Sequence, residues 1–176
     1  YGQGDGRGER IMNPVTEMTL EEGASMDMET VQIRGIDSTK RVTSAKLLKG
    51  ASLTIHEKLM THGSQYAETD FTVDMDGEDS SANVVSRSVA KEESHQIFRS
   101  RINGNNRCSG HTECDAIIMD DASVSAIPEL TANDIDAALI HEAAIGKIAG
   151  EQLIKLMTLG LTEAEAEEQI INGFLK

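Results

Sequence analysis

The sequence predicts a mainly β fold built from stacked short strands, followed by two helices at the C-terminus. Apolar residues alternate with polar ones in short runs, turn-like glycines recur at a fixed spacing, and the last residues follow two helical patterns. Aromatic residues make up only 3% of the 176 residues. Packing must therefore come from aliphatic side chains, which suits an architecture of stacked aliphatic layers.

From about residue 16 to residue 120, period-two alternation predicts strands separated by polar turns. The turns contain Gly, Asn, Asp and Ser, as at residues 76–79 and 103–106. In chain order, the predicted strands cover residues 25–33, 51–56, 70–75, 84–89, 95–102 and 116–119.

A repeat underlies these strands. The segments Glu-Gly-Ala-Ser-Met at 22–26 and Lys-Gly-Ala-Ser-Leu at 49–53 are 27 residues apart, and the same offset leads to Gly77 and Gly104. Short strands and turn glycines at this period are typical of a parallel β-helix, whose coils stack around an aliphatic interior. A β-sandwich is the alternative architecture, and chance spacing of the glycines is the alternative to a repeat.

After Pro128 the pattern changes. Residues 150–160 predict a helix that stops at Gly160, and Thr162 with Glu165 predicts a capping box that opens a second helix. Residues 134–148 fit either a helix or a final strand. The sequence therefore predicts a β-helix core over residues 1–148 and a helical segment over residues 149–176.

Composition narrows the class of partners. The formal net charge of -14 argues against nucleic acid and against anionic membrane surfaces. No apolar run is long enough to span a membrane, so we expect an acidic cytoplasmic protein. Residues 1–8, which alternate glycine with polar residues, suggest a turn or flexible segment. Because Tyr1 is not an initiator methionine, we expect the chain to lack an N-terminal part.

Several self-contained sites are excluded by spacing. His141-Glu142 does not continue to H-E-x-x-H, Gly146-Lys147 lacks the rest of a P-loop, and residues 72–83 lack the first and last ligands of a calcium loop. The two cysteines, Cys108 and Cys114, do not have zinc-knuckle spacing, although they could pair with each other. Each is more often a buried, inert residue than a reactive one.

The remaining candidates are the thiol, imidazole and carboxylate groups of Cys108, Cys114, His141 and Glu142. Neighbouring side chains on a strand point to opposite faces, so one site would rarely use both His141 and Glu142 unless it lay at a strand end or a subunit interface. A β-helix enzyme that acts on acidic sugars through Asp74 and Asp76 is an alternative, but the net charge would repel such a substrate.

Six segments of the chain together carry a resemblance to a known family: residues 84–88, 112–118, 141–148, 151–153, 159–163 and 170–174. They resemble the C-terminal core of the SufB/SufD family, the scaffold of the SUF iron–sulfur cluster assembly machinery. The likeness covers at least residues 82–176. The resemblance implies a right-handed parallel β-helix flanked by helices, association of two subunits through the C-terminal coils, and docking of a SufC ATPase on the C-terminal helices.

The resemblance also implies site residues. Cys114 matches the cysteine that accepts sulfur and ligates the nascent cluster, and His141-Glu142 matches a His-Glu pair near the subunit interface. Ile140 departs from the acidic residue that many SufB-type members carry there. No family role is assigned to Cys108, which we expect to be structural. The expected ATPase-docking residues are Glu151, Gln152, Leu153, Leu156, Leu159 and Phe174.

On this resemblance the chain is a non-enzymatic scaffold that carries a transient iron–sulfur cluster and holds no cofactor as purified. Its expected partners are a SufC-type ATPase, a cysteine desulfurase system as sulfur donor, and a second subunit in a homodimer or SufB/SufD heterodimer. The His-Glu pair is more SufB-like than SufD-like. A purely structural SufD-like subunit, which never touches the cluster, is the alternative.

Overall fold

The computed structural model describes residues 8–33 and 35–176, so the expectation for residues 1–7 lies outside the described residues. The described chain forms a parallel β-helix of about five turns with two C-terminal helices. The strands are β1 (Ile11–Met12), β2 (Val15–Leu20), β3 (Ser25–Gln32), β4 (Ser38–Leu47), β5 (Ser52–Thr61), β6 (Tyr66–Met75), β7 (Ser80–Ala90), β8 (His95–Gly104), β9 (Cys108–Ile118), β10 (Ser123–Ala132) and β11 (Ala137–Gly146).

The strands form two sheets, which the chain visits alternately. One sheet has the order β1-β4-β6-β8-β10, with β2 also paired to β4, and the other has the order β3-β5-β7-β9-β11. The described strand pairs are parallel, which distinguishes the fold from an antiparallel β-sandwich. Aligned residues in successive coils are 27 to 29 positions apart, so the predicted repeat is confirmed.

The repeated glycines serve different purposes. Gly23 and Gly50 adopt positive φ angles of 70° and 64° in equivalent turns, where a residue with a Cβ atom would be strained. Gly77 lies against the preceding coil, because an added Cβ atom would be 2.0 Å from the backbone of Leu48 and Lys49. Gly104 ends β8. The shared offset therefore reflects stacking of coils, and the individual glycines meet different local needs.

One half of the solenoid interior is apolar. Inward side chains from successive coils stack there, and Phe71 and Phe98 pack at a ring-centroid distance of 5.9 Å. Burial of such groups contributes about 25 cal/mol per Å² of apolar surface removed from water. This aliphatic stack fits the aromatic-poor composition. Its fully buried large members include Leu47, Leu53, Ile55, Met75, Val84 and Ile102.

Most predicted strands are confirmed with longer bounds, and the ambiguous residues 134–148 contain the strand β11. Four of the described strands, β1, β2, β4 and β10, were not predicted individually. Pro128 lies inside β10 and is tolerated because this strand is at the edge of its sheet, where a missing N–H need not leave a partner unpaired.

The helices are α1 (Gly150–Met157) and α2 (Glu163–Phe174). The predicted capping box is present, since the Thr162 hydroxyl accepts from the Glu165 N–H and the Glu165 carboxylate accepts from the Thr162 N–H. Gly160 has a φ of 97° in the turn between the helices. Ala166 and Ile171 are the buried residues of α2. Among the described residues, neither helix is long and apolar enough to cross a membrane.

Candidate functional site

Strand β9 carries the first half of the candidate site, and its side chains alternate between two faces. Thr112 and Cys114 are buried between the sheets, whereas His111, Glu113 and Asp115 are only partly buried on the outer face. The neighbouring strands extend this division, because parallel partners in register point to the same side of the sheet. Each candidate can therefore be assigned to the inner or the outer face.

Cys114 lies on the inner face and is 1% exposed. It is aligned with Ser86 on β7 and with Ala143 on β11. Burial, followed by the nearby Glu57 and Asp115 carboxylates, raises the pKa of the Cys114 thiol to about 12. The thiol is therefore protonated at neutral pH, and a protonated thiol is neither a good nucleophile nor a good metal ligand.

His141 lies beside Cys114 on the same face. Its aligned partner on β9 is Thr112, and the Thr112 hydroxyl is 2.6 Å from His141 Nδ1. Partial burial, and secondarily the neighbouring His111, lowers the pKa of His141. The imidazole is consequently neutral at physiological pH. When Nδ1 donates the bond to Thr112, Nε2 carries a lone pair that can bind a metal.

Glu142 faces the opposite way. It is aligned with Glu113, and its Oε2 is 3.6 Å from His111 Nε2 on the outer face. The structure therefore brings Cys114 and His141 together on the inner face and places Glu142 across the sheet from them. As expected for neighbours on a strand, the side chains of His141 and Glu142 point to opposite faces, so within this single chain they do not share one site.

An outer group of three residues was not predicted from the sequence. Donor atoms of His111, Glu113 and Glu142 all lie within 4.8 Å of one another. One signal was present in the sequence, since His111 and Glu113 are two positions apart on a strand and Glu113 precedes Glu142 by one coil. Recognising it requires the register between β9 and β11.

A buried polar group behind Cys114 was also not predicted. Glu57 on β5 accepts hydrogen bonds from the Thr69 hydroxyl at 2.8 Å and from the Ser86 hydroxyl at 2.7 Å. Glu57, Ser86 and Cys114 are aligned on three successive strands of one sheet. Burial raises the pKa of Glu57, and these hydrogen bonds partly oppose the increase. This half of the interior is therefore polar.

Cys108 lies at the other end of β9, buried, with its thiol pKa raised by desolvation. Both cysteines are free. Six residues of extended strand separate their Cα atoms by about 20 Å, far beyond the reach of a disulfide. The suggested pairing of Cys108 with Cys114 is therefore wrong for the folded chain.

The carboxylates of the enzyme alternative make contacts between coils. Asp74 accepts a hydrogen bond from Asn103 at 2.7 Å, and Asp76 accepts one from Asn105 at 2.7 Å. Asp76 also pairs with Lys46 at 2.9 Å. These contacts hold successive coils in register, which is a structural role.

The expected docking residues lie on or beside the two helices. Helix α1 contains no buried residue, and Leu159, just beyond it, is 78% exposed. Glu151 and Gln152 are exposed, while Leu153, Leu156 and Phe174 are partly buried. The helical segment thus presents apolar side chains to solvent in the described chain.

Fold and site together define a parallel β-helical protein with a thiol and an imidazole on the inner face of its last coils and a helical pair after them. The chain belongs to the SufBD family: the family model for the SufBD core domain of SUF system FeS cluster assembly matches residues 7–174. The predicted SufB/SufD membership is therefore confirmed.

Curated relatives carry the same family name. An "Iron-sulfur cluster assembly SufBD family protein" of Methanothermobacter thermautotrophicus strain Delta H is 41% identical over 103 residues, which is 57% of this chain and 25% of that protein. A relative in Archaeoglobus fulgidus is 29% identical over 167 residues, covering 94% of this chain and 45% of the relative. The relative in Methanocaldococcus jannaschii is 28% identical over 173 residues, covering 96% and 54%. The chain thus spans about half or less of these proteins.

Proposed function

We propose that this chain is a scaffold on which an iron–sulfur cluster is built, with Cys114 as the sulfur acceptor. The observation that carries the proposal is that Cys114 on β9 and His141 on the neighbouring strand β11 lie on the same inner face. Thiolate and imidazole are ligands that iron accepts in proteins. Membership of the SufBD family supplies the context in which this pair is used for assembly.

The last coil favours a subunit interface. Within the described part of the chain, β11 ends its sheet and pairs with β9 on one side, and β10 ends the other sheet in the same way. Ile140 on β11 is 56% exposed, and Ile127 and Leu130 on β10 are also exposed. Open strand edges with exposed aliphatic groups favour pairing with another chain. The second subunit would be another copy of this chain or a SufB/SufD-type partner.

Such an interface would place Glu142 close to the second subunit. Its carboxylate points away from Cys114 within one chain, so it would serve as a metal ligand from the outer side of β11. The proposed ligands inside the chain are therefore Cys114 and His141, with Glu142 acting on the other face. The cluster is cargo that is assembled and released, and the chain is not itself an enzyme.

Burial of Cys114 requires an opening step. A thiol with a pKa of about 12 must reach a wetter environment before it can act. Movement of β11 would provide this, because that strand pairs with β9 along the segment that contains Cys114. We propose that a SufC-type ATPase bound to α1 and α2, through exposed residues such as Glu151 and Leu159, shifts the population towards the open state.

In the open state the Cys114 thiolate attacks the outer sulfur of a persulfide on a donor protein. The donor's S–S bond breaks as the new S–S bond forms on Cys114, and the donor leaves as a thiolate. A cysteine desulfurase system is the proposed donor. The resulting persulfide can bind iron beside the His141 imidazole. All of these partners fit a cytoplasmic setting.

Persulfide mapping tests this proposal. The chain, a cysteine desulfurase, cysteine and the ATPase with ATP are incubated, and persulfides are trapped by alkylation and located by mass spectrometry. We expect label on Cys114, and we expect the Cys108→Ser variant to label equally well. A structural SufD-like subunit would leave Cys114 unlabelled under conditions in which the desulfurase is active, and that result would refute the scaffold role.

A further inference from the structure

We infer that His111, Glu113 and Glu142 form a binding site for a first-row divalent metal ion on the outer face of the β9–β11 pair. This inference shares Glu142 with the proposed function and goes beyond it in His111 and Glu113, because it concerns the face opposite Cys114 and requires neither sulfur nor a cluster. Its basis is the geometry of three donor groups, the orientation of the histidine and an unfavourable pair of like charges.

The donor atoms are spaced as ligands of one ion would be. All three lie within 4.8 Å of one another, and His111 Nε2 is 3.6 Å from Glu142 Oε2. Metal–ligand bonds of about 2.0 to 2.2 Å place two ligands of one ion roughly 3 to 4.4 Å apart. The three groups therefore lie close to the spacing that one ion would impose.

The histidine is oriented for ligation. His111 Nδ1 lies 2.9 Å from the side-chain oxygen of Asn83, its aligned partner on β7. A carbonyl-type oxygen only accepts, so Nδ1 donates to Asn83, and in this tautomer of the neutral ring Nε2 is the nitrogen that can bind a metal on the side of Glu142. Metal-binding histidines are commonly fixed in this way by a hydrogen bond to the second ring nitrogen. Asn83 is thus a positioning residue for the site.

The charges favour a bound cation. Glu113 and Glu142 are directly aligned on neighbouring parallel strands, and like charges opposite each other destabilise a sheet. Asp115, two residues along β9 on the same face, adds a further carboxylate. A divalent ion held between Glu113 and Glu142 would replace this repulsion with attraction. One imidazole and two carboxylates suit iron(II), manganese(II), cobalt(II) or zinc.

The ordinary alternative is an ion pair between His111 and Glu142. That contact is 3.6 Å long and attractive only when the imidazole is protonated. It also involves only two of the three side chains and leaves Glu113 out. A metal ion accounts for all three side chains and for the role of Asn83 together.

Cobalt(II) titration of the full chain at pH 7.5 under anaerobic conditions tests the inference. Cobalt bound by nitrogen and oxygen gives weak visible bands, whereas cobalt bound by a thiolate gives an additional intense near-ultraviolet band. We expect one ion per chain with visible bands only. We also expect cobalt to raise the melting temperature of the wild-type chain and to leave that of the Glu113→Gln/Glu142→Gln double variant unchanged.

Variants separate the outer site from the inner one. Glu113→Gln or His111→Gln should weaken cobalt binding at least tenfold, and Asn83→Ala should weaken it by about tenfold through loss of histidine orientation. Cys114→Ser and the distant surface variant Glu17→Gln should bind cobalt as the wild type does. Circular dichroism confirms that each variant is folded.

Two results would overturn the inference: equal binding by wild type and the double variant, or a thiolate band that disappears in Cys114→Ser. Neither result affects persulfide formation on Cys114, so failure of the metal site and failure of the scaffold role can be told apart.

Discussion

The reactivity of the Cys114 thiol is the most direct physical consequence of its position. In a Cys108→Ser chain, Cys114 is the only thiol. With its pKa raised to about 12, the thiolate fraction at pH 8 is about one in ten thousand. An unfolded chain with an ordinary thiol pKa of about 8.5 has about a quarter of its thiol ionised at the same pH. The difference in thiolate fraction is about three orders of magnitude.

Part of that difference is offset. A thiolate of higher pKa is intrinsically more nucleophilic, with a Brønsted coefficient of about 0.4 to 0.5. This makes each thiolate of the folded chain about one and a half orders of magnitude more reactive. The folded chain should therefore react with a small aromatic disulfide at least about 50-fold more slowly than the chain unfolded in guanidinium. Limited access to a side chain that is 1% exposed will slow it further.

The assay is stopped-flow absorbance of the released aromatic thiol between pH 7 and pH 11. The folded chain should show a rate that still increases about tenfold per pH unit above pH 9, where the unfolded chain has levelled off. A folded-chain rate within a factor of about ten of the unfolded rate at pH 8, or a plateau near pH 9, would refute a buried and protonated Cys114.

Two further predictions concern stability. Gly77→Ala should lower the free energy of unfolding by about 3 kcal/mol or more, because the added Cβ would overlap the backbone of the adjacent coil. Gly146 has open space around it, so Gly146→Ala should change this free energy by less than about 0.5 kcal/mol. Urea titration compares the two variants, and equal effects would contradict the close approach at Gly77. Glu57→Gln should gain stability relative to wild type as pH increases from 4.5 to 8. The pKa of buried Glu57 is raised, so the stabilising contribution of its protonated form is complete below the ordinary carboxyl pKa and is lost as pH rises through the pKa in the folded chain. Urea titration at both pH values measures this difference, and a constant or reversed difference would contradict it.

The sequence predicted strands well where an inward apolar residue alternates with an outward polar one. Strand β5 is such a case, with Leu53 and Ile55 buried and their neighbours facing outwards. Strand β4 was not predicted individually, because several of its inward residues are polar or charged: Thr39, Arg41 and Thr43. A buried polar interior removes the hydropathy contrast on which alternation depends.

The site was predictable by residue type and by likeness to a family, but not in its arrangement. Cys114 and His141 were predicted as ligands, and the structure places both on the inner face. The grouping of Glu142 with His111 and Glu113 depends on pairing between residues 29 positions apart. That register depends on the length of every intervening turn, and a single inserted residue would move the side chain to the other face.

Cluster assembly on Cys114 can be tested directly. The measurement is anaerobic reconstitution of the chain with its ATPase, iron and sulfide, followed by absorbance in the visible region and by iron and sulfide analysis, for wild type, Cys114→Ser and Cys108→Ser. We expect Cys114→Ser to lose most of the cluster and Cys108→Ser to retain it. If Cys114→Ser assembled as much cluster as wild type, the assignment of Cys114 would be wrong.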